Sequence, residues 1–183
     1  KIKTPYIFYI GRLERKKNIP LLIEAFGRFK QKNQNDPHSL VLVGRPGFDY
    51  EKIQVNIKKY NLEPWVIQTG WVGEDDIPYF YNGASAFVFP SRYEGFGIPL
   101  IEAMACGTPI LASRAGSIPE VAGDAALYFE TESADSLIAG MENILNNQEL
   151  RGRLRAAGLA RCQNFSWART ARQTLEILKS THA

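Results

Sequence analysis

Six short apolar runs, each followed by residues with helical spacing, constrain this chain more than any other feature. The runs fall at residues 6–10, 40–43, 65–69, 86–89, 110–112 and 126–129. A strand that reads as a nearly continuous apolar run is buried on both faces. Strands alternating with helices pair in parallel, with helices covering both sides. Right-handed crossovers then give an α/β fold, a doubly wound parallel sheet of Rossmann-like type, with ligands outside the carboxyl ends of the strands. Helices are predicted near 19–32, 50–60, 75–81, 99–106 and 133–146, with Asn18 as N-cap of the first and Pro20 in its first turn. Gly107 is placed to end the helix that begins at Pro99. From about residue 149 the pattern is helical without strands, through Arg161 and again from Trp167 to Lys179. With no repeat or linker, residues 1–183 read as one domain with a sizeable core.

Several function classes drop out early. The dinucleotide fingerprint Gly-x-Gly-x-x-Gly is absent after the first strand, which ends instead in the cationic Gly11-Arg12-Leu13-Glu14-Arg15-Lys16-Lys17. A net charge of +3 is too small to argue for a nucleic-acid partner. Two cysteines, Cys106 and Cys162, make neither a disulfide framework nor a Cys-only zinc site, which favours a reducing compartment. No apolar run approaches the roughly 20 residues of a membrane span, and no signal peptide leads the chain, so a cytoplasmic location is expected. His38 lies in an Asp-Pro-His-Ser turn and His182 near the C-terminus. Neither reads as a general base or a ligand. With no Asp-x-Asp in the chain, no metal is expected and none is needed as cofactor.

The chemistry concentrates in Ser91-Arg92-Tyr93-Glu94-Gly95-Phe96-Gly97-Ile98-Pro99-Leu100-Ile101-Glu102. A strand feeds into this segment, and a helix is predicted from Pro99, where proline supplies a helical φ and lacks only an amide that would be orphaned anyway. The amides of Gly97, Ile98, Leu100 and Ile101 are then expected to lie unpaired at the mouth of the strand ends. A helix start beside glycines that admit a ligand to the backbone is suited to an anion. Glu94 sits in the loop and Glu102 just inside the helix. Carboxylates accept from vicinal hydroxyls while amides hold phosphate, a pairing that fits a sugar nucleotide.

This Glu-x7-Glu spacing in a Glu-Gly-Phe-Gly context resembles the retaining glycosyltransferases of the glycogen-synthase-like group, in particular glycosyltransferase family 4. The resemblance continues through Gly11-Arg12-Leu13, Lys17-Asn18, Leu42-Val43-Gly44 and Gly116-Ser117-Ile118-Pro119-Glu120. It spans nearly the whole chain but corresponds to the C-terminal half of a two-domain GT-B enzyme. With no leading methionine before Lys1-Ile2-Lys3, an excised donor-binding domain is expected, its N-terminal acceptor domain being a partner outside this sequence. The resemblance implies transfer of a hexosyl group from a GDP- or UDP-sugar, GDP-mannose among them, to a saccharide or lipid-linked acceptor. It implies that the isolated domain is inactive.

By the same resemblance, Arg12 and Lys17 bind the diphosphate, Glu94 meets the donor sugar, and Glu102 accepts from the ribose hydroxyls. Nucleotide contacts are expected from Gly11, Gly44, Val72, Gly95, Phe96, Gly97, Ile98 and Leu100, with Trp71-Val72-Gly73 as the wall beside the base. Arg45 either stacks on the base or covers its loop. Arg15 and Lys16 read as solvated. Tyr50, Tyr60, Tyr79, Tyr81, Phe26 and Phe29 read as core, and Glu120 as a cleft-wall residue without a catalytic role. Arg151, Arg153, Arg155 and Arg161 read as a solvated face in preference to a peripheral contact with an anionic membrane. The rival reading from another class is a sugar-nucleotide or anion-binding module without catalysis.

Overall fold

Strand β1 (Tyr6–Ile10) is buried along nearly its whole length and lies at the centre of a six-stranded parallel sheet. The structure, a computed structural model, describes residue 2 and residues 5–180. The other strands are β2 (Ser39–Val43), β3 (Val66–Gly70), β4 (Ala86–Phe89), β5 (Ile110–Ser113) and β6 (Ala126–Phe129), in the spatial order β3-β2-β1-β4-β5-β6. The chain therefore winds outward from β1 to β3, then crosses back to lay β4 on the other side of β1, with Phe8 opposite Phe87. The strand order reverses between β1 and β4, and the loops that leave these two strands diverge to opposite faces, opening a crevice at their carboxyl ends.

Successive side chains of a strand point to opposite faces, and β1 shows what this produces. Ile7 and Tyr9 enter a core with α1 (Ile19–Lys32), α2 (Tyr50–Lys59) and α6 (Ala134–Asn146). Phe8 enters the other core, with α3 (Ile77–Gly83), α4 (Ile98–Ala105) and α5 (Ile118–Ala122). The doubly wound sheet expected from the alternation is the one observed. Of the aromatics assigned to packing, Phe26, Phe29 and Tyr81 are fully buried and Tyr50 and Tyr60 pack against the core, but Tyr79 is exposed.

The element that the sequence reading overlooks is α5, a helix of five residues. Four helices here open with the same dipeptide: Ile19-Pro20, Ile77-Pro78, Ile98-Pro99 and Ile118-Pro119. Each places proline in the first turn, where no intrahelical donor is lost. Asn18 stands at the start of α1 but does not cap it with its side chain. It adopts a left-handed conformation, φ 58°, and its Nδ2 donates instead to the Thr131 carbonyl at 2.8 Å. The Cα position was legible; the partner came from a loop over a hundred residues away.

Beyond the sheet, α7 (Gln148–Cys162) packs back through Leu150 and Leu154. Two of its arginines serve as caps. Arg151 donates to the Ile144 and Leu145 carbonyls at the end of α6, and Arg161 to those of Glu120 and Val121 in α5. No residue of α8 (Trp167–Ser180) is buried. Among the described residues no helix is long and apolar enough to cross a membrane.

Candidate donor site at the switch point

The first two strands run directly into glycines whose backbone angles strain any residue with a side chain. Gly11 has φ +143° and Gly44 φ +142°. A Cβ on Gly44 would stand 1.9 Å from the Gly11 carbonyl oxygen, and one on Gly11 2.7 Å from the Tyr9 hydroxyl. The close approach that Gly44 allows is thus loop against loop. Past it the two chains stay abreast, with the Leu13 amide donating to the Arg45 carbonyl at 3.0 Å and the Gly47 amide to the Leu13 carbonyl at 2.9 Å.

These loops wall two cavities that share Ile10 and Gly11. One, of about 440 Å³, takes in Arg12, Gly44, Arg45, Trp71 and Val72. The other, of about 280 Å³, takes in Lys17, Glu94, Phe96, Gly97 and Ile98. Glu102 lies beyond Ile98, on an adjoining cavity of about 330 Å³ that reaches Phe165 and Trp167. Most of the residues singled out in the sequence therefore meet along one crevice. Gly95 and Leu100 are not among those lining it.

Across the switch point, Lys17 Nζ donates to Glu94 Oε1 at 2.6 Å, with the two side chains 24% and 13% exposed. The pair joins the loop after β1 to the loop after β4. Beneath it the buried Tyr9 hydroxyl donates to the Arg12 carbonyl at 3.1 Å. Burial, then the Glu94 and Glu14 carboxylates, push the Tyr9 phenol well above its ordinary pKa of 10.0, so it stays neutral. Arg12 and Lys16 are exposed, as is Arg15, which stands 3.8 Å from Asp49.

The Glu94 loop is held from behind by residues to which the sequence reading gave no role. Ser117 Oγ lies 2.9 Å from the Glu94 carbonyl and 3.0 Å from that of Phe96, so its one proton serves either. Gly116, at φ +51°, passes so close that a Cβ would stand 2.9 Å from the Glu94 carbonyl oxygen. The sequence signal for them is the Gly-Ser pair directly before Ile118-Pro119.

At the start of α4 the expectation needs correcting. The helix begins at Ile98 with Gly97 before it at φ +106°. The Leu100 amide is not free: it donates to the Gly97 carbonyl at 3.0 Å, and the residue is fully buried. Tightening of the first turn in this way consumes a donor that an ideal helix would leave open. Gly97 and Ile98 remain on the crevice. Glu102 faces α3, where its Oε2 accepts from the Tyr81 hydroxyl at 2.9 Å. The Arg45 guanidinium lies 6.0 Å from the centroid of the exposed Trp71 ring, on the same cavity.

His38 proves to be well bonded, at the other end of the sheet. Its Nδ1 lies 3.1 Å from Asp36 and its Nε2 3.1 Å from Ser85 Oγ. The buried Lys30 ammonium donates to the Asp36 carbonyl and sits 3.4 Å over the Trp65 ring. These groups precede β2 and β4, so they stand at the amino ends of the strands. His182 lies outside the described residues.

With this geometry the chain can be set beside known proteins. The family model described as glycosyl transferases group 1 matches residues 1–161. The chain belongs to that family. It is 36% identical over 174 residues to the O-antigen chain mannosyltransferase B of Escherichia coli, covering 95% of this chain and 45% of that protein. The sucrose-phosphate synthase of Thermosynechococcus elongatus superposes with a TM-score of 0.85 at 29% identity, covering 97% of this chain and 45% of the other. Anabaena HepE, solved in complex with UDP, has the same fold, with a TM-score of 0.83 at 24% identity over 96% of this chain and 48% of its own. The chain spans about half the length of these relatives. Its architecture is that of the C-terminal Rossmann-like half of a GT-B fold.

Proposed function

We propose that this chain is the donor-binding domain of a retaining glycosyltransferase that takes a hexosyl group from a nucleoside-diphosphate sugar. The observation that carries the reading is the convergence of Arg12, Lys17, Glu94 and the Gly97-Ile98 start of α4 on one crevice at the β1/β4 switch point. The diphosphate lies between the two cations and the helix start. As the glycosidic phosphate bond breaks, negative charge gathers on the leaving diphosphate, and fixed cations stabilise that charge more than the starting material. Glu94 faces the donor sugar and eases the positive charge left at the anomeric carbon. Glu102 takes the ribose hydroxyls, and the wall around Trp71 and Val72 meets the base. The two cations take the place that a metal ion would otherwise hold beside the diphosphate.

That HepE was solved with UDP supports a nucleotide as ligand, and the mannosyltransferase relative supports mannose as the hexose, with GDP-mannose among the GDP- or UDP-sugars considered. The acceptor, a saccharide or a lipid-linked one, meets a second domain across the crevice, and without it this chain transfers little. Calorimetric titration with GDP, UDP and ADP, with and without EDTA, tests the reading. GDP or UDP should bind with an affinity unchanged by the chelator. No binding of any of them at millimolar concentration would remove the donor-domain reading, and affinity lost in EDTA and restored by magnesium would remove the metal-free one.

A further inference from the structure

Tyr81 is the last place in α3 where a polar group would be expected. Its ring is 1% exposed and wedged edge-on between Phe8 and Phe87, at centroid distances of 5.0 and 5.2 Å. Its carbonyl is pinned by the Thr108 hydroxyl at 2.9 Å, in the turn that ends α4. So held, the ring has little freedom, and its hydroxyl emerges at a fixed point beside α4. Two acceptors wait there: the Pro99 carbonyl at 3.2 Å and Glu102 Oε2 at 2.9 Å. A phenol has one proton to give, and the shorter contact to a charged acceptor takes it. Burial foremost, then the Glu102 charge, raise the phenol well above 10.0, so Tyr81 remains a donor at every pH at which the crevice works.

A glutamate on a helix surface has three rotatable bonds, and ordering it on a ligand costs entropy at the moment of binding. Here one carboxylate oxygen is already fixed from within the core. We propose that Tyr81 is a positioning residue: it locks Glu102 by Oε2 so that Oε1 is presented to the ribose hydroxyls of the nucleotide. The inference rests on the reading of Glu102 given above. Tyr81 itself touches no ligand. It acts by removing the ordering cost that Glu102 would otherwise carry.

The test measures the affinity of this chain for GDP and UDP, each beside its 2′,3′-dideoxy form, with thermal melts as a control of folding. Tyr81→Phe keeps the ring and loses the hydroxyl. It should weaken binding of the ribonucleotide about five- to tenfold and leave the dideoxy form untouched, so that the ratio between them falls. Glu102→Gln should lower the same ratio further, and adding Tyr81→Phe to it should change nothing more. Glu102→Asp approaches the contact from the other side: one methylene shorter, it leaves the reach of Tyr81 Oη but keeps its charge, and the ratio should fall as in Tyr81→Phe. If Tyr81→Phe or Glu102→Asp keeps the wild-type ratio while Glu102→Gln abolishes it, the positioning role is wrong and the ribose contact stands. If wild type does not distinguish the two sugars, or Glu102→Gln keeps the ratio, the ribose reading falls and the inference with it. Equal weakening of both nucleotides by Tyr81→Phe would mark a packing role and overturn the proposal.

Discussion

The two ends of the sheet carry similar chemistry to opposite purpose. At the amino end, Asp36, His38 and Ser85 form a chain of contacts at 3.1 Å, with Lys30 buried beside them. At the carboxyl end, Lys17 and Glu94 are joined at 2.6 Å, with Arg12 exposed near them. A serine, a histidine and an aspartate in line would draw more notice in a sequence search than a lysine and a glutamate. The difference lies in what surrounds them. At the amino end both ring nitrogens and the ammonium have internal partners, and the knot ties the approach to β2 to that of β4. At the carboxyl end the pair bridges loops that diverge around a crevice, and positive-φ glycines keep the backbone close by. Satisfied polar groups stabilise a fold; polar groups set on a concave edge bind and react.

The widest separation between the two ends is expected in activity. In the complete enzyme, Glu94→Gln and Arg12→Ala should each lower kcat by about a hundredfold or more, the scale seen when one group aimed at transition-state charge is removed. Arg12→Ala should also weaken donor binding with little change in the unfolding midpoint, whereas Glu94→Gln, which leaves Lys17 without its charged partner, should lower that midpoint modestly. Steady-state kinetics with donor concentration varied decides this. A Glu94→Gln enzyme with full kcat and weaker donor binding would reduce Glu94 to recognition.

His38→Ala should behave in the reverse manner. Leaving Asp36 and Ser85 without their shared partner should cost about 1–3 kcal/mol in urea unfolding, with nucleotide affinity unchanged. A shift in affinity would mean that the two edges are coupled through the sheet.

The smallest contrast is one of sign, in alkali. Tyr9 and Tyr81, toward the crevice, have folded pKa values raised above 10.0 by burial, so the folded state holds protons that the unfolded chain gives up. Their contribution is complete below pH 10.0 and is lost as pH rises beyond it. Lys30, at the other end, is lowered from 10.5 by burial, a shift that Asp36 partly offsets. The unfolded chain then binds the extra proton, and the Lys30 contribution improves as pH climbs towards 10.5. Unfolding midpoints from pH 8 to 11 should fall less steeply in Tyr81→Phe than in wild type, and more steeply in Lys30→Met. Parallel curves for all three would show that these groups do not govern the alkaline limb.

What the sequence makes legible follows from how far each signal reaches. Apolar runs, helical spacing and prolines in first turns report on the backbone within a few residues, and they place the six strands and most of the helices. The Glu94–Glu102 spacing and the cationic loop after β1 are equally local, and both lie on the linked cavities. The partners are not local. Asn18 reaches Thr131, Ser117 reaches back to Glu94, and Tyr81 reaches across to Glu102, each a pairing that only the wound sheet creates. Leu100 failed for a smaller reason: one carbonyl, that of Gly97, turned into the first helical turn and took its amide. The helix α5 was hidden by its brevity, although it opens on the same Ile-Pro as three longer ones.

The ion pair between Lys17 and Glu94 also works as a test of the visitor. Each charge answers the other, so on the proposed reading an arriving phosphate meets a cation already engaged, and an arriving sugar a carboxylate in the same position. A ligand offering only one of these groups would take one partner and leave the other stranded in a half-buried place, where an unpaired charge is unfavourable. A molecule carrying phosphate and hydroxyls at the right separation replaces both partners at once and strands neither. On the proposed reading, the contact that holds two loops together in the resting protein is a two-key lock, closed to inorganic phosphate and to free sugar and open to their union.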